Sequence, residues 1–314
     1  GDDKTLKIAQ SFEDYEHFIV LEQEPGGKIK ALNDCLDFIE NGLIYLTDAE
    51  VRITDELLLR LIFPIVNGSE NATIGGNRPL KSQIDEDIVR YLEINRYNDF
   101  RRKFKRYVQL DKKKLDKSNF NLIVRSGANL CIKYEVIEKI GNFSEKREIH
   151  DEYDEGYSRA LDILSEGYRY YQLKSYRARI QTDYPKSVKA YFFQTVRWME
   201  NRLHNVIKNR NLNRLIRFLT LVFLSTYLIV FPLLALVHIG FLLIGILIIL
   251  SMYLKKIRKW LFFKESISKT EYKELKLKFF LKILSYIYVE LMINLYTLFE
   301  MIFRKKKVAE RRIF

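Results

Sequence analysis

The sequence predicts an α/β domain with a mainly parallel sheet, followed by a transmembrane helical hairpin and one further apolar helix. Three observations predict it. Short apolar runs alternate with helix-period segments over residues 1–193, the pattern of a sheet covered by helices on both faces. Residues 218–254 are 37 positions without Lys, Arg, Asp or Glu. The net charge of +13 in 314 residues gathers around that run: 1–193 sum to about −2, 194–217 to +5 and 255–314 to +10.

Basic residues bordering an apolar block describe the cytoplasmic flanks of membrane spans. The expected partner is therefore a membrane and no nucleic acid. Five prolines and 13 glycines exclude a linker-rich or disordered chain. Two cysteines, Cys35 and Cys131, cannot build a disulfide framework and read as buried thiols in a reducing compartment.

In the first domain, residues 18–21 read as a strand. Residues 30–41 read as a helix with Ala31, Leu32, Cys35, Phe38 and Ile39 on one side. Residues 43–46 form a short apolar strand, followed at once by Thr47-Asp48-Ala49-Glu50. Helices are expected over 56–66 and 90–108. Residues 122–124 and 130–132 bracket Ser126-Gly127-Ala128 as strand, turn and strand. A helix over 151–165 stops at Gly167, and 168–173 is a last strand.

Residues 194–214 read as an interfacial helix. One membrane span needs about 20 residues, and 37 helical residues would reach roughly 55 Å across a core of about 30 Å. Two helices over 215–254 with a tight turn fit better, the turn falling near Pro232 and Val237-His238-Ile239-Gly240. Both basic flanks then share the cytoplasmic side. In the basic segment 255–314, residues 279–303 are less clear. Lys282, Glu290, Asn294, Thr297 and Glu300 fall within roughly 120° on a helical wheel, leaving Ile283, Ile287, Leu291, Leu298 and Ile302 as an apolar face. An amphipathic helix in the cytoplasmic interface is favoured over a third span.

Three constellations carry possible chemistry. Asp48 and Glu50 directly follow a strand, where open α/β sheets bind ligands, and paired carboxylates suit a hard cation such as Mg²⁺ or Mn²⁺. Glu148, Asp151, Glu152, Asp154 and Glu155 cluster at a helix start; they either complement the helix dipole or supply a general base. Gln194, Arg197 and Trp198 share a helix face at i, i+3 and i+4, as an acceptor site or as an interfacial anchor.

Together these resemble the membrane-bound family 2 glycosyltransferases, the inverting nucleotide-sugar enzymes of the cellulose-synthase-like and hyaluronan-synthase-like kind. The family's GKxxALN appears as Gly27-Lys28-Ile29-Lys30-Ala31-Leu32-Asn33, and its metal-binding DxD as Asp48-Ala49-Glu50. Gly127-Ala128-Asn129 to Lys133 followed by Gly141-Asn142-Phe143, the acidic pair Asp151-Glu152, and QxxRW as Gln194, Arg197 and Trp198 complete the order.

The resemblance implies a GT-A nucleotide-sugar domain over 1–193 on the cytoplasmic side of a bacterial inner or plasma membrane. Asp48 and Glu50 would hold Mg²⁺ or Mn²⁺. Asp3, Lys28, Asn33 and Asp48 would bind a UDP- or GDP-sugar donor. Asp151 or Glu152 would be the catalytic base. Gln194, Arg197 and Trp198 would meet a lipid-linked glycan, glycolipid or polysaccharide acceptor. Three departures accompany it: Glu50 replaces an aspartate, the acidic pair is inverted, and the opening strand is absent, so the chain reads as N-terminally incomplete. The alternative from another class is a non-catalytic relic or membrane scaffold.

Overall fold

The computed structural model describes residues 4–22, 27–102, 129–143, 160, 162–173, 175–208, 212–234, 236–267 and 277–303. In chain order these form α1 (Thr5–Gln10), α2 (Gly27–Leu36), β1 (Leu43–Thr47), α3 (Asp55–Val66), β2 (Ala72–Ile74), β3 (Gly76–Pro79), α4 (Asp87–Arg102), β4 (Asn129–Lys133) and α5 (Tyr134–Ile140). There follow β5 (Tyr170–Gln172), β6 (Arg179–Thr182), α6 (Val188–Lys208), α7 (Leu212–Leu234), α8 (Ile239–Ser266) and α9 (Leu277–Phe303).

The α/β expectation holds, but the sheet is mixed and not mainly parallel. Its order is β1-β4-β2-β5. Strand β4 runs antiparallel to both β1 and β2, whereas β2 and β5 are parallel. A parallel sheet needs each helix to carry the chain back across the sheet. Helix α4 does not do so: Val89 and Leu92 pack with Phe263, Phe279 and Ile287 from the C-terminal helices. Strand β4 begins at the sheet edge at which β2 ends. Residues 18–21, expected as a strand, form no regular element.

Alternation along β1 explains how the sheet is covered on both faces. Ile44 and Leu46 join Ala72, Ile74, Leu130, Ile132, Val136 and Ile163 in one core. Tyr45 points the other way, with Cys131 and Tyr171, against Leu57, Leu61 and Ile65 of α3. Helix α3 starts where Thr54 accepts the backbone N–H of Leu57 at 3.3 Å. A separate two-stranded parallel ribbon, β3 with β6, leaves the main sheet at Gly75.

Three helices among the described residues are long and apolar enough to cross a membrane: Leu215–Leu234 and Ile239–Glu265, each with mean hydropathy 2.0, and Leu277–Phe303 with 1.4. The turn between the first two falls at Leu236 and Val237. Pro232 stays inside α7, and His238 caps α8 by accepting the Gly240 N–H on Nδ1 at 3.0 Å. Gly245 lets the two helices approach, because a Cβ there would lie 2.3 Å from the Phe231 ring. Helix α9 packs against α4, α6, α7 and α8.

Candidate functional site

Because β1 and β2 both oppose β4, they run parallel, and β5 follows β2. Thr47, Ile74 and Gln172 therefore end at one sheet edge, where Asn129 begins β4. Asp48 comes directly after β1 and is partly buried; Ala49 and the exposed Glu50 form a turn. The Thr47 hydroxyl donates to the Asp48 carbonyl at 3.4 Å. Arg52 then pairs with Gln181 of β6 through backbone bonds of 2.8 and 3.1 Å. The acidic turn is thus pinned between the carboxyl end of a strand and the β3–β6 ribbon.

Asn129 joins the sheet to that ribbon. Its side-chain amide donates to the carbonyls of Gly76 and Ala178, each at 3.2 Å, and its Oδ1 accepts the Tyr45 hydroxyl at 3.0 Å. Gly75 sits beneath it, and an added Cβ would fall 2.1 Å from the Ala178 carbonyl and 2.2 Å from the Asn129 amide. Only glycine allows this approach. Burial pushes the Tyr45 phenol up to about 12 and the Cys131 thiol up to about 11.

Helix α2 carries Lys28 in its first turn. Asn33, on the same helix, clamps the backbone of Phe143: its Oδ1 accepts the Phe143 N–H at 2.9 Å and its amide donates to the Phe143 carbonyl at 3.3 Å. The structure thereby links two motifs that are 110 residues apart.

The helix α6 follows β6 through a short connection held by Gln83, which accepts the Tyr184 N–H at 3.0 Å and donates to its carbonyl at 3.3 Å. On α6, Gln194 and Trp198 converge on one group, Arg96 of α4. The guanidinium donates to Gln194 Oε1 at 3.1 Å and lies 5.0 Å from the Trp198 ring centre, with Tyr184 at 4.2 Å. Arg197, between them in sequence, is exposed.

Behind this contact is a buried cluster that the sequence reading missed. Glu93 holds Arg90 at 2.8 Å and accepts the Tyr176 hydroxyl. Arg179 is fully buried, 4.5 Å from the Tyr97 ring centre and 5.7 Å from that of Tyr176. Burial pushes its guanidinium below the usual range, against the surrounding tyrosines and Glu93, which favour the charged form. The one signal in the sequence is Arg90, Glu93, Arg96 and Tyr97 at i, i+3, i+6 and i+7, a charged stripe on α4.

Asp3, Asp151 and Glu152 lie outside the described residues. Among the described residues, no three His, Cys, Asp or Glu side chains gather into a group that could hold a metal ion. Asp48 and Glu50 supply two hard carboxylate donors two positions apart. Mg²⁺ and Mn²⁺ are commonly held by one or two carboxylates together with substrate phosphates, so this donor set fits such an ion. Compared with known proteins, the chain matches no family model and no curated sequence.

Proposed function

We propose that this chain is a membrane-associated inverting glycosyltransferase. It would move a sugar from a UDP- or GDP-sugar donor to a lipid-linked glycan, glycolipid or polysaccharide acceptor. The observation that carries this reading is the placement of Asp48-Ala49-Glu50. The turn closes β1 at the sheet edge that begins with Asn129, and it is tied through Arg52 to the strand leading into α6. Short acidic turns are common. One tied through Arg52 to β6, the strand that leads into the helix bearing Gln194, Arg197 and Trp198, puts the candidate donor and acceptor residues on connected elements.

In the proposed reaction the acceptor hydroxyl oxygen attacks the anomeric carbon from the face opposite the diphosphate. A new C–O bond forms while the bond to the diphosphate oxygen breaks, and its electron pair leaves with the nucleoside diphosphate. The hydroxyl proton passes to the carboxylate of Asp151 or Glu152. Inversion follows from the single displacement.

Asp48 and Glu50 would hold Mg²⁺ or Mn²⁺, which supplies positive charge against a leaving diphosphate. Lys28 and Asp3 would contact the donor. Asn33 supports the site indirectly, since its side chain is engaged by Phe143. Trp198 offers a ring on which an acceptor sugar can stack, and Arg96 fixes where that ring stands.

Purified membranes carrying the full chain, incubated with a panel of labelled nucleotide sugars with and without Mn²⁺, test this reading. Metal-dependent transfer or nucleoside diphosphate release from one donor supports it. No turnover of any donor, with the protein folded and membrane-bound, would overturn it in favour of a scaffold.

A further inference from the structure

The side of helix α9 that meets the protein buries Ile283, Ile287 and Leu291, expected on its lipid-facing side, together with its polar residues, and its free side is apolar as well. Lys282 pairs with Asp87, and Glu290 accepts from Lys256 at 2.6 and 2.8 Å and from the Tyr91 hydroxyl at 2.7 Å. Asn294 donates to the Ser225 hydroxyl at 3.1 Å, and Thr297 and Glu300 are buried. Leu277, Leu281, Leu284, Met292, Phe299 and Ile302 are exposed. At 100° per residue these six fall within about 80° of one another, opposite the polar groups. The arrangement leaves an apolar stripe open on the free side. It suits a helix that meets lipid on its free side.

The partners of α9 also fix its level. The charge-free run of the hairpin begins at Phe218 and ends at Leu254. Near the start of α9, Phe280 packs edge-on to Trp260 at 5.0 Å, six residues beyond that run. At its midpoint, Glu290 meets Lys256, two residues beyond the run, and Tyr91 of the α/β domain. Asn294 reaches Ser225, seven residues inside, which at 1.5 Å per residue is a depth of about 10 Å. Leu295, Leu298 and Met301 then pack with Phe218 and Val222. These contacts stay at the basic base of the hairpin and never climb to its tip at Leu236 and Val237.

We infer that α9 enters one leaflet at an incline from its headgroup side, with the stripe from Leu277 to Ile302 towards headgroups and then acyl chains, and does not cross. The occupant of the stripe is lipid because the stripe continues the exposed apolar surface of the hairpin at Leu219, Phe223 and Leu254. A depth of about 10 Å matches that of interfacial helices, whose apolar face reaches roughly 5–10 Å below the headgroups. Residues on both sides of α9 then share the side of the α/β domain. The polar contacts from α4 to Lys256, Lys282 and Glu290 seat that domain on the membrane. This inference does not depend on any catalytic activity.

The test uses the full chain in sealed vesicles of both orientations and a charged, impermeant maleimide. Cys35, expected to be buried like Cys131, is instead exposed on the α/β domain and marks its side. Phe303→Cys is expected to label from the Cys35 side, and Val237→Cys from the other. A protease-cleavable tag after Phe314 on the unaltered sequence repeats the measurement without touching α9 and must be cut from the Cys35 side. Nitroxides placed at Leu281 and Phe299 are expected in the same leaflet, with Phe299 the deeper of the two. Labelling of Phe303→Cys or cleavage of the tag from the Val237 side overturns the inference. So does a nitroxide at Phe299 in free contact with water, or a pair of nitroxides at Leu281 and Phe299 in opposite leaflets.

Discussion

The Arg96 guanidinium is stacked 5.0 Å from the centre of the Trp198 ring while donating a hydrogen bond to Gln194 on the same helix. Helix α4 is therefore a strut with two working faces. Asp87, Tyr91 and Asn95, at i, i+4 and i+8, reach α8 and α9. Arg90, Glu93, Arg96 and Tyr97 reach β6, α6 and their cluster. On the proposed function Arg96 positions the acceptor-binding ring, and lysine cannot reproduce its planar fork. Arg96→Lys and Arg96→Ala are both expected to raise the acceptor KM more than they lower kcat, and to red-shift tryptophan emission from Trp198. A double-mutant cycle with Gln194→Ala should give a coupling of about 0.5–3 kcal/mol in stability. Additive effects would show that the contact does not matter.

Asp48 stands first in the acidic turn and is the less exposed of its two carboxylates. Replacing it with Asn keeps its shape and removes its charge. On the proposed function, Asp48→Asn lowers metal-dependent transfer by about 10²–10³, the range for loss of one electrostatic contact in a transition state. Glu50→Gln should cost less and raise the Mn²⁺ concentration needed for half-maximal rate. Rate against Mn²⁺, measured for both variants in the same membranes, checks this. Wild-type turnover by Asp48→Asn would remove the carboxylate from the chemistry.

The hairpin is legible in the sequence because 37 charge-free residues exceed one span, and β1 because Ile44, Leu46 and the following acids mark a strand end. Strands β2, β3 and β6 are three or four residues each, too short for a period-2 pattern to register. The antiparallel β4 is hidden for a different reason. Its pairing with β1 and β2 is long-range, and α4 reads as a polar helix until its partners are known. Arg96 and Gln194 are 98 residues apart, so no local pattern announces the pair. On α9 the polar residues are legible, but their direction is not, because a helical wheel cannot say whether a polar face meets water or protein.

Asn129 carries three hydrogen bonds at the junction of sheet and ribbon, and it is fully buried. Asn129→Ala would strand the Tyr45 hydroxyl and two carbonyls, a loss of about 2–4 kcal/mol from unsatisfied buried groups. Gly75→Ala places a methyl against the Ala178 backbone carbonyl, which cannot rotate away, and should destabilise by a comparable amount. Denaturant unfolding in detergent, following the α/β transition, measures both. A Gly75→Ala protein of wild-type stability would mean that the ribbon is free to shift.

Glu290 is held by Lys256 and Tyr91 with the lysine side chain only 12% exposed. Glu290→Ala leaves that ammonium without its carboxylate, beside the Asn95 amide oxygen at 3.3 Å and the Tyr91 ring, and removes one of the links from α4 to the C-terminal helices. A loss of about 2–4 kcal/mol is expected, below the range for fully buried pairs because Glu290 retains some exposure. Glu290→Gln keeps the bond from Tyr91 and should lose less. Thermal melts of the detergent-solubilised chain, with limited proteolysis to report release of the α/β domain, separate the two. Equal melting of wild type and Glu290→Ala would make the contact ornamental.

Alkaline pH tests the packing around β1. The folded Tyr45 phenol titrates at about 12 and the folded Cys131 thiol at about 11, each raised chiefly by burial. In the unfolded chain these groups ionise near 10 and 8.5. Between the unfolded and folded values, the unfolded chain has lost a proton that the folded chain keeps. Stability therefore falls as pH rises, and the loss begins earlier for Cys131 than for Tyr45. Tyr45→Phe removes one of these titrations. It also lowers stability at every pH by taking the donor from Asn129, so the informative quantity is the slope and not the level. Between about pH 10 and 12 the variant should lose stability with one proton less dependence than wild type, while below pH 9 the two curves run parallel. Denaturant midpoints at half-unit pH steps supply the slopes; identical slopes above pH 10 would show that Tyr45 ionises freely in the folded protein.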